Sequence, residues 1–292
     1  MIVLVTGAAG QLGRELVEAA PAEVELHALA RTELDVTDAA AVGDVVQRIA
    51  PTVILNAAAY TKVDAAESEP EAAYAVNEAG AGHLADAAAT VGARLIHVST
   101  DFVFDGHSGR PYRPEDAPAP VNVYGASKLA GEKAVLDRPA SRPLVVRSSW
   151  IYSAFGANFV KTMLRLMRER DSLDVVADQI GSPTWAAGLA RMLWACAARP
   201  DLDGILHWCD AGVASRYDFA VAIAEEAQAA GMLADIPEIR PVGSADFRLP
   251  ASRPPFSVLD TFSNMRQVER APKHWRTQLR AMLHDLQGSD HA

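Results

Sequence analysis

The first thirteen residues narrow the possible folds more than any other stretch. Met1 to Thr6 is a short apolar run, the pattern of a strand buried on both faces. It leads into Gly7-Ala-Ala-Gly10-Gln-Leu-Gly13, and a helical pattern follows that stops near Ala20-Pro21. Glycines at a strand-to-helix turn let the backbone come close to a phosphate. The helix N-terminus adds free N–H groups and the positive end of a dipole. The spacing is Gly-x-x-Gly-x-x-Gly rather than Gly-x-Gly-x-x-Gly, so the turn points to a phosphate-binding fold and not to one reaction. The alternation then repeats. Strands are expected at 24–29, 52–55, 94–99 and 144–147, with helices over 38–49 and 71–91 between them. That order predicts an α/β chain built on a Rossmann-like, doubly wound parallel sheet. Beyond Trp150 the pattern is less regular, as expected for a smaller C-terminal α/β substrate lobe. The expected division gives 1–149 to a dinucleotide-binding domain, with 172–203 returning to it, and 150–171 plus 204–292 to the lobe.

Composition removes several classes. The 292 residues carry 27 basic and 37 acidic side chains, a net charge of -10. An acidic chain is a poor partner for nucleic acid or anionic membrane, so neither is expected. No apolar run reaches the roughly 20 residues of a membrane span, and the first strand starts with no charged leader. Cys196 and Cys209 lie far apart with no metal-ligand spacing, as reduced thiols of a cytoplasmic protein would.

The ends of the strands hold the candidate chemistry, because open α/β sheets bind ligands at the carboxyl ends of their strands. The second strand ends in Ala30-Arg31, followed by Asp35-Val36. An arginine there suits a 2′-phosphate and favours NADPH, with NADH as the lesser option. The third strand runs into Asn56-Ala-Ala-Ala-Tyr60-Thr61, whose small side chains leave room for a flat ligand. The fourth ends in Ser99-Thr100-Asp101-Phe102, and the Thr100 hydroxyl there can steady charge on a substrate carbonyl. Tyr124 and Lys128 follow, four residues apart and on one face of a helix. A phenol has a pKa of about 10, and a nearby ammonium is expected to lower it toward working pH. The helix over 158–170 carries Lys161, Arg165, Arg168 and Arg170, either as a solvated face or directed at a ligand diphosphate. His207 reads as structural.

Several segments together resemble the extended short-chain dehydrogenase/reductase family, and within it the reductases of nucleotide-linked ketosugars. They are Gly7-x-x-Gly10-Gln-Leu-Gly13, Asn56-Ala-Ala-Ala-Tyr-Thr-x-Val-Asp64, Ser99-Thr-Asp-Phe-Val-Phe-Asp-Gly106, Asn122-Val-Tyr-Gly-x-Ser-Lys-Leu-Ala-Gly-Glu132, Arg147-Ser-Ser-Trp150 and Asp178-Gln-x-Gly-Ser-Pro-Thr184. The resemblance implies transfer of hydride from NADPH to C4 of a dTDP-linked 4-keto-6-deoxy sugar, with Thr100, Tyr124 and Lys128 as the catalytic set. It implies cofactor contacts from Gly7, Gly10, Gln11, Leu12, Gly13, Arg31, Asp35, Val36, Ala58, Ala59 and Tyr60, joined by Tyr124 and Lys128. It places Thr61, Val63, Thr100, Asp101, Phe102 and Trp150 around the sugar. Some relatives hold Mg²⁺ at a dimer contact, and Glu15 matches one ligand, but no full set is found. The expectation is no metal, and a monomer or weak homodimer. Phe102 stands where a dehydratase needs a proton-moving carboxylate, which argues against dehydration. An epimerase, or a non-catalytic regulatory subunit on the same scaffold, remains as an alternative.

Overall fold

A computed structural model describes residues 1–138, 140, 142–247 and 249–289. Five strands in chain order, β1 (Ile2–Thr6), β2 (Glu25–Leu29), β3 (Val53–Asn56), β4 (Arg94–Thr100) and β5 (Leu144–Ser148), form a parallel sheet with a sixth strand, Gly204–His207. Counting the sixth strand last, the spatial order is 6-5-4-3-1-2, so the winding reverses between β1 and β3. A cleft forms at the carboxyl ends of strands at such a reversal. Val3, Leu4, Val5, Ile54, Leu55 and Ile96 are essentially inaccessible. Their continuous burial follows from helices covering both faces of the sheet.

One face carries helix α1 (Gln11–Glu18) and the Ala186–Ala197 helix; the other carries Ala39–Ile49, Gly80–Val91 and Val123–Leu136. Asp38 starts the Ala39–Ile49 helix by accepting from the N–H groups of Ala40 and Ala41. A third apolar cluster builds the smaller lobe around Tyr152, Phe219, Trp275 and Leu279. Among the described residues, no helix is long and apolar enough to cross a membrane.

The architecture departs from the sequence reading in three places. The Gly204–His207 strand, expected in the lobe, extends the main sheet beside β5. The strand Ser172–Val176, expected to return to the main domain, pairs instead with Glu238–Val242 outside it. The single helix expected over 71–91 is broken into Pro70–Tyr74, a π turn at Ala75–Ala79 and Gly80–Val91. The π turn contains Asn77, whose side chain accepts from Tyr60 N–H at 2.9 Å. Its amide donates to Tyr60 C=O and to the Ser127 hydroxyl. A wide turn that presents one polar side chain inward commonly marks a functional position.

Candidate active site

Two adjoining cavities, of about 450 and 320 Å³, lie along the carboxyl edge and share Gly10, Ala57, Ala59 and Thr61. Gly10, Gln11 and Leu12 form the wall where they meet the N-terminus of α1, which no side chain caps. The unbonded N–H groups of that first turn suit an anionic group. Gly7 has φ +71°, and a Cβ there would come within 2.7 Å of the Ala58 backbone. Gly13 does not line either cavity: a Cβ on it would press into the Gly7 carbonyl, so it permits helix-to-turn packing rather than touching a ligand.

The smaller cavity is lined by Arg31, Asp35, Val36, Ala58 and Tyr60, together with Lys62. Arg31 pairs with Asp35 at 3.2 Å and remains largely exposed. Two cations beside a cavity that opens from the end of β2 fit a phosphorylated adenosine ribose, and the uncapped turn of α1 fits a pyrophosphate. On both counts the residues present suit NADPH.

The larger cavity brings Thr100, Tyr124 and Lys128 together. The Val123–Leu136 helix that carries the last two begins at Asn122, whose side chain accepts from Gly125 N–H at 2.7 Å. Side chains at 125 and 131 would collide with the Phe102 and Asn77 carbonyls, so the two glycines set the close approach of this helix to the turn after β4 and to the π turn. Glu132 then ties the helix to the sheet. It accepts two hydrogen bonds from the Arg147 guanidinium, at 2.7 and 2.8 Å, and one from Ser99 at 2.5 Å, all buried.

The electrostatics differ from the sequence expectation at the phenol. Burial, with a contribution from the Asp101 carboxyl, pushes Tyr124 up to about 12, while the neighbouring Thr100 hydroxyl works the other way. Lys128 does not acidify it. The residue is 2% exposed, and its Nζ donates to Val98 C=O at 2.7 Å and is itself held down to about 8 by burial, against the pull of Glu132. His97 sets part of that environment. Asn56 Oδ1 accepts from Ala58 N–H and the Thr6 hydroxyl, so its amide must donate to His97 Nδ1, at 2.9 Å. The imidazole proton therefore sits on Nε2, 3.4 Å from Lys128 Nζ. Burial and Lys128 together keep this imidazole neutral, well below its ordinary pKa.

Thr61, Val63, Asp101, Phe102 and Trp150 line the same cavity. Phe102 meets Tyr124 edge-on at 5.7 Å. Trp150 holds φ +47°, a conformation that needs external support in a residue with a side chain. Gly181 gives room for the indole: a Cβ there would lie 2.6 Å from the ring. The Arg216 guanidinium covers the ring, 3.6 Å from its centroid. Asp101 is 2% exposed, burial raises it to about 6, and its Oδ2 has no hydrogen-bond partner among the described residues.

Sequence reasoning missed Lys62 of the smaller cavity and four further groups. Arg216 and Asn158 line the larger cavity, and Asn158 donates to Gln11 at 3.0 Å. Ser148 lines it too, with a buried hydroxyl lacking a partner among the described residues. Asn77 braces Tyr60 from outside. A lone asparagine in an alanine-rich helix was the available signal for the last; Arg216 offered none. The basic residues expected as possible diphosphate contacts, Lys161, Arg165, Arg168 and Arg170, do not line the cavity, and Lys161 and Arg165 are bonded to Ala154 C=O and Glu169. Glu15 is buried and accepts from the Ser153 hydroxyl at 2.6 Å. Among the described residues, no cluster of three or more metal-ligating side chains is present.

A doubly wound parallel sheet with a glycine turn, a strand-end threonine and a Tyr-x-x-x-Lys helix facing one cleft defines an oxidoreductase of the short-chain dehydrogenase/reductase class. The comparisons narrow this. The model of the RmlD substrate binding domain family matches residues 1–288. A dTDP-4-dehydrorhamnose reductase of Mycobacterium tuberculosis strain H37Rv is 45% identical, over 96% of this chain and 92% of that one. One from Aggregatibacter actinomycetemcomitans is 40% identical, over 95% and 97%. The crystal structure of the Bacillus anthracis dTDP-4-dehydrorhamnose reductase in complex with NADP superposes with a TM-score of 0.91 at 39% identity, covering 97% of this chain and 99% of that one. The chain belongs to the RmlD substrate binding domain family.

Proposed function

We propose that this protein reduces the C4 ketone of dTDP-4-dehydro-L-rhamnose to the alcohol of dTDP-L-rhamnose, with NADPH consumed. The observation that carries this reading is the convergence of Thr100, Tyr124 and Lys128 on one cavity continuous with a cleft suited to a phosphorylated dinucleotide. When bound, NADPH supplies the hydride that goes to C4. The Thr100 hydroxyl donates to the ketone oxygen and holds it toward Tyr124. The Tyr124 phenol gives that oxygen its proton as the C–O double bond becomes single, so one hydride and one proton account for the alcohol. The Lys128 ammonium, anchored on Val98 C=O, supports the cofactor ribose. Gly10, Gln11 and Leu12 receive the pyrophosphate, and Arg31 with Lys62 the 2′-phosphate.

Phe102 lies against the phenol and cannot move a proton, which supports reduction over dehydration. The β1–β5 sheet provides the dinucleotide half and the segment after Trp150 much of the sugar half. The reading includes work in the cytoplasm as a monomer or weak homodimer, without nucleic acid, membrane or resident metal. Loss of NADPH absorbance on adding dTDP-4-dehydro-L-rhamnose tests it. Oxidation of NADPH that requires this ketosugar, and is weaker with UDP- or GDP-linked analogues, is the expected result. Tightly held NAD⁺ in purified protein, or no ketosugar-dependent oxidation, would count against it.

A further inference from the structure

Arg216 is the site residue with the least evident purpose. It begins the Arg216–Ala229 helix just after the Ser215 cap, far in sequence from the glycine turn and from Tyr124. The backbone of that turn is firmly placed: Arg216 N–H donates to Gln179 C=O at 3.1 Å, and Ser215 and Asp218 form a reciprocal cap. The side chain reaches into the larger cavity and stacks its guanidinium on the Trp150 ring, with the Phe159 ring 5.3 Å away. Yet no acceptor among the described residues takes a hydrogen bond from it. A guanidinium offers five N–H donors, and leaving them unused inside a cavity is unfavourable unless a ligand supplies the acceptors.

Lys128 is the other cation lining this cavity, and its ammonium is committed to Val98 C=O at the Tyr124 end. In a chain of net charge -10, a nucleotide diphosphate entering the cavity needs a local positive group whose hydrogen bonds are not already committed. The planar fork of a guanidinium suits two oxygens of a phosphate, and stacking on an indole fixes the plane in which the fork points. We infer that Arg216, braced by Trp150, binds the diphosphate of the dTDP-sugar and so sets both its affinity and the depth at which the ketose meets Tyr124. This rests on the proposed nucleotide-sugar substrate and adds the residue that grips its charged centre. Burial lowers the guanidinium to about 10, which leaves it charged at neutral pH. The other role open to Arg216 is as counter-ion to Asp101, whose carboxyl it holds below where burial alone would put it.

Calorimetric titration of dTDP into wild type, Arg216→Met and Arg216→Lys separates these roles. Loss of a charge-assisted hydrogen-bonding pair should weaken dTDP about tenfold or more in Arg216→Met. The effect should be smaller in Arg216→Lys, which keeps the charge but not the fork. NADPH binding, measured on the same samples by fluorescence, should stay within about twofold and shows that the cleft is intact. With dTDP-4-dehydro-L-rhamnose, KM should rise more than kcat falls. The inference is overturned if dTDP binds Arg216→Met as it binds wild type, if dTDP does not bind wild type, or if dTDP and NADPH weaken in parallel. A pH profile of kcat that shifts while dTDP affinity holds assigns Arg216 to Asp101 instead. Arg216-dependent dTDP binding without ketosugar reduction would overturn the reductase reading and leave this one standing.

Discussion

Lys128→Met should make the ligand-free protein more stable and leave it inactive. The lysine is 2% exposed, and its folded-state pKa lies at about 8 against an ordinary 10.5. At 1.36 kcal/mol per pH unit, keeping it charged inside the folded chain at pH 7 costs about 3 kcal/mol. Methionine has a similar length and flexibility and needs no counter-charge. Against that gain stands the lost hydrogen bond to Val98 C=O, worth about 1 kcal/mol. The net is about 2 kcal/mol in favour of the variant, or a Tm rise of about 4 °C in a chain of this size. The pH dependence separates this cause from better packing. Below pH 8 the amine is protonated in both states and wild type bears the full cost. Between about 8 and 10.5 the unfolded chain binds more protons than the folded one, so wild-type stability rises with pH. The advantage of Lys128→Met should therefore shrink across that window and vanish near its top. Urea unfolding of both proteins at pH 7 and pH 10, without ligands, measures it. A variant less stable than wild type at pH 7, or a gap equal at the two pH values, refutes the reasoning.

Other perturbations test other parts of the site. Tyr124→Phe removes the proton donor but little volume, so turnover should fall by about 10²–10⁴-fold while NADPH affinity, measured by fluorescence titration, is retained. Arg147→Met leaves the Glu132 carboxylate buried without its cation and should cost about 3–5 kcal/mol in urea unfolding, whereas Arg147→Met with Glu132→Leu should recover most of it. Asn77→Ala frees the Tyr60 backbone and should raise KM for NADPH several-fold with a loss of about 1–3 kcal/mol in stability; an unchanged KM would mean that the π turn does not position the cofactor wall.

The parts of the molecule that could be read from sequence are those where local chemistry dictates the answer. The strands are short apolar runs, the turn needs its glycines, and Tyr124 and Lys128 are placed by helical period alone. The residues that line the two cavities were largely legible for this reason. What was not legible depends on partners distant in the chain. The Gly204–His207 strand reads the same at the edge of the main sheet or in a separate lobe, and only its pairing with β5 decides. Gly13 looks like a ligand-contact glycine, but the Gly7 carbonyl behind it assigns it to packing. Arg216 starts a helix with no motif, and its place over Trp150 follows from the lobe's packing 66 residues later. The basic helix over 158–170 gave the stronger sequence signal for a diphosphate contact and lies off the cavity, because a charge run on one helix face is usually solvated.

The sign of the phenol shift carries the most mechanistic weight. The sequence suggested an acidified tyrosine, poised near neutrality by its lysine, which would serve proton removal and proton donation about equally. Burial instead sets Tyr124 at about 12 and Lys128 at about 8. A phenol at 12 is protonated throughout the neutral range, as a proton donor must be. It is still a far stronger acid than an alcohol, whose pKa lies near the ~15.7 of bulk water, so transfer to a nascent C4 alkoxide is downhill. The reverse reaction would need a phenolate, and this chain makes one expensive. Asp101 adds to the shift by placing a carboxyl near the phenol, and Phe102 packs edge-on against its ring. The phenol pKa thus sets the pH range over which each direction is fast, while the reactants and the pH set the equilibrium. In Asp101→Asn the phenol should titrate lower, and the pH profile of alcohol oxidation should move to lower pH relative to wild type. A profile unchanged in that variant would show that the Asp101 carboxyl does not govern the phenol's titration.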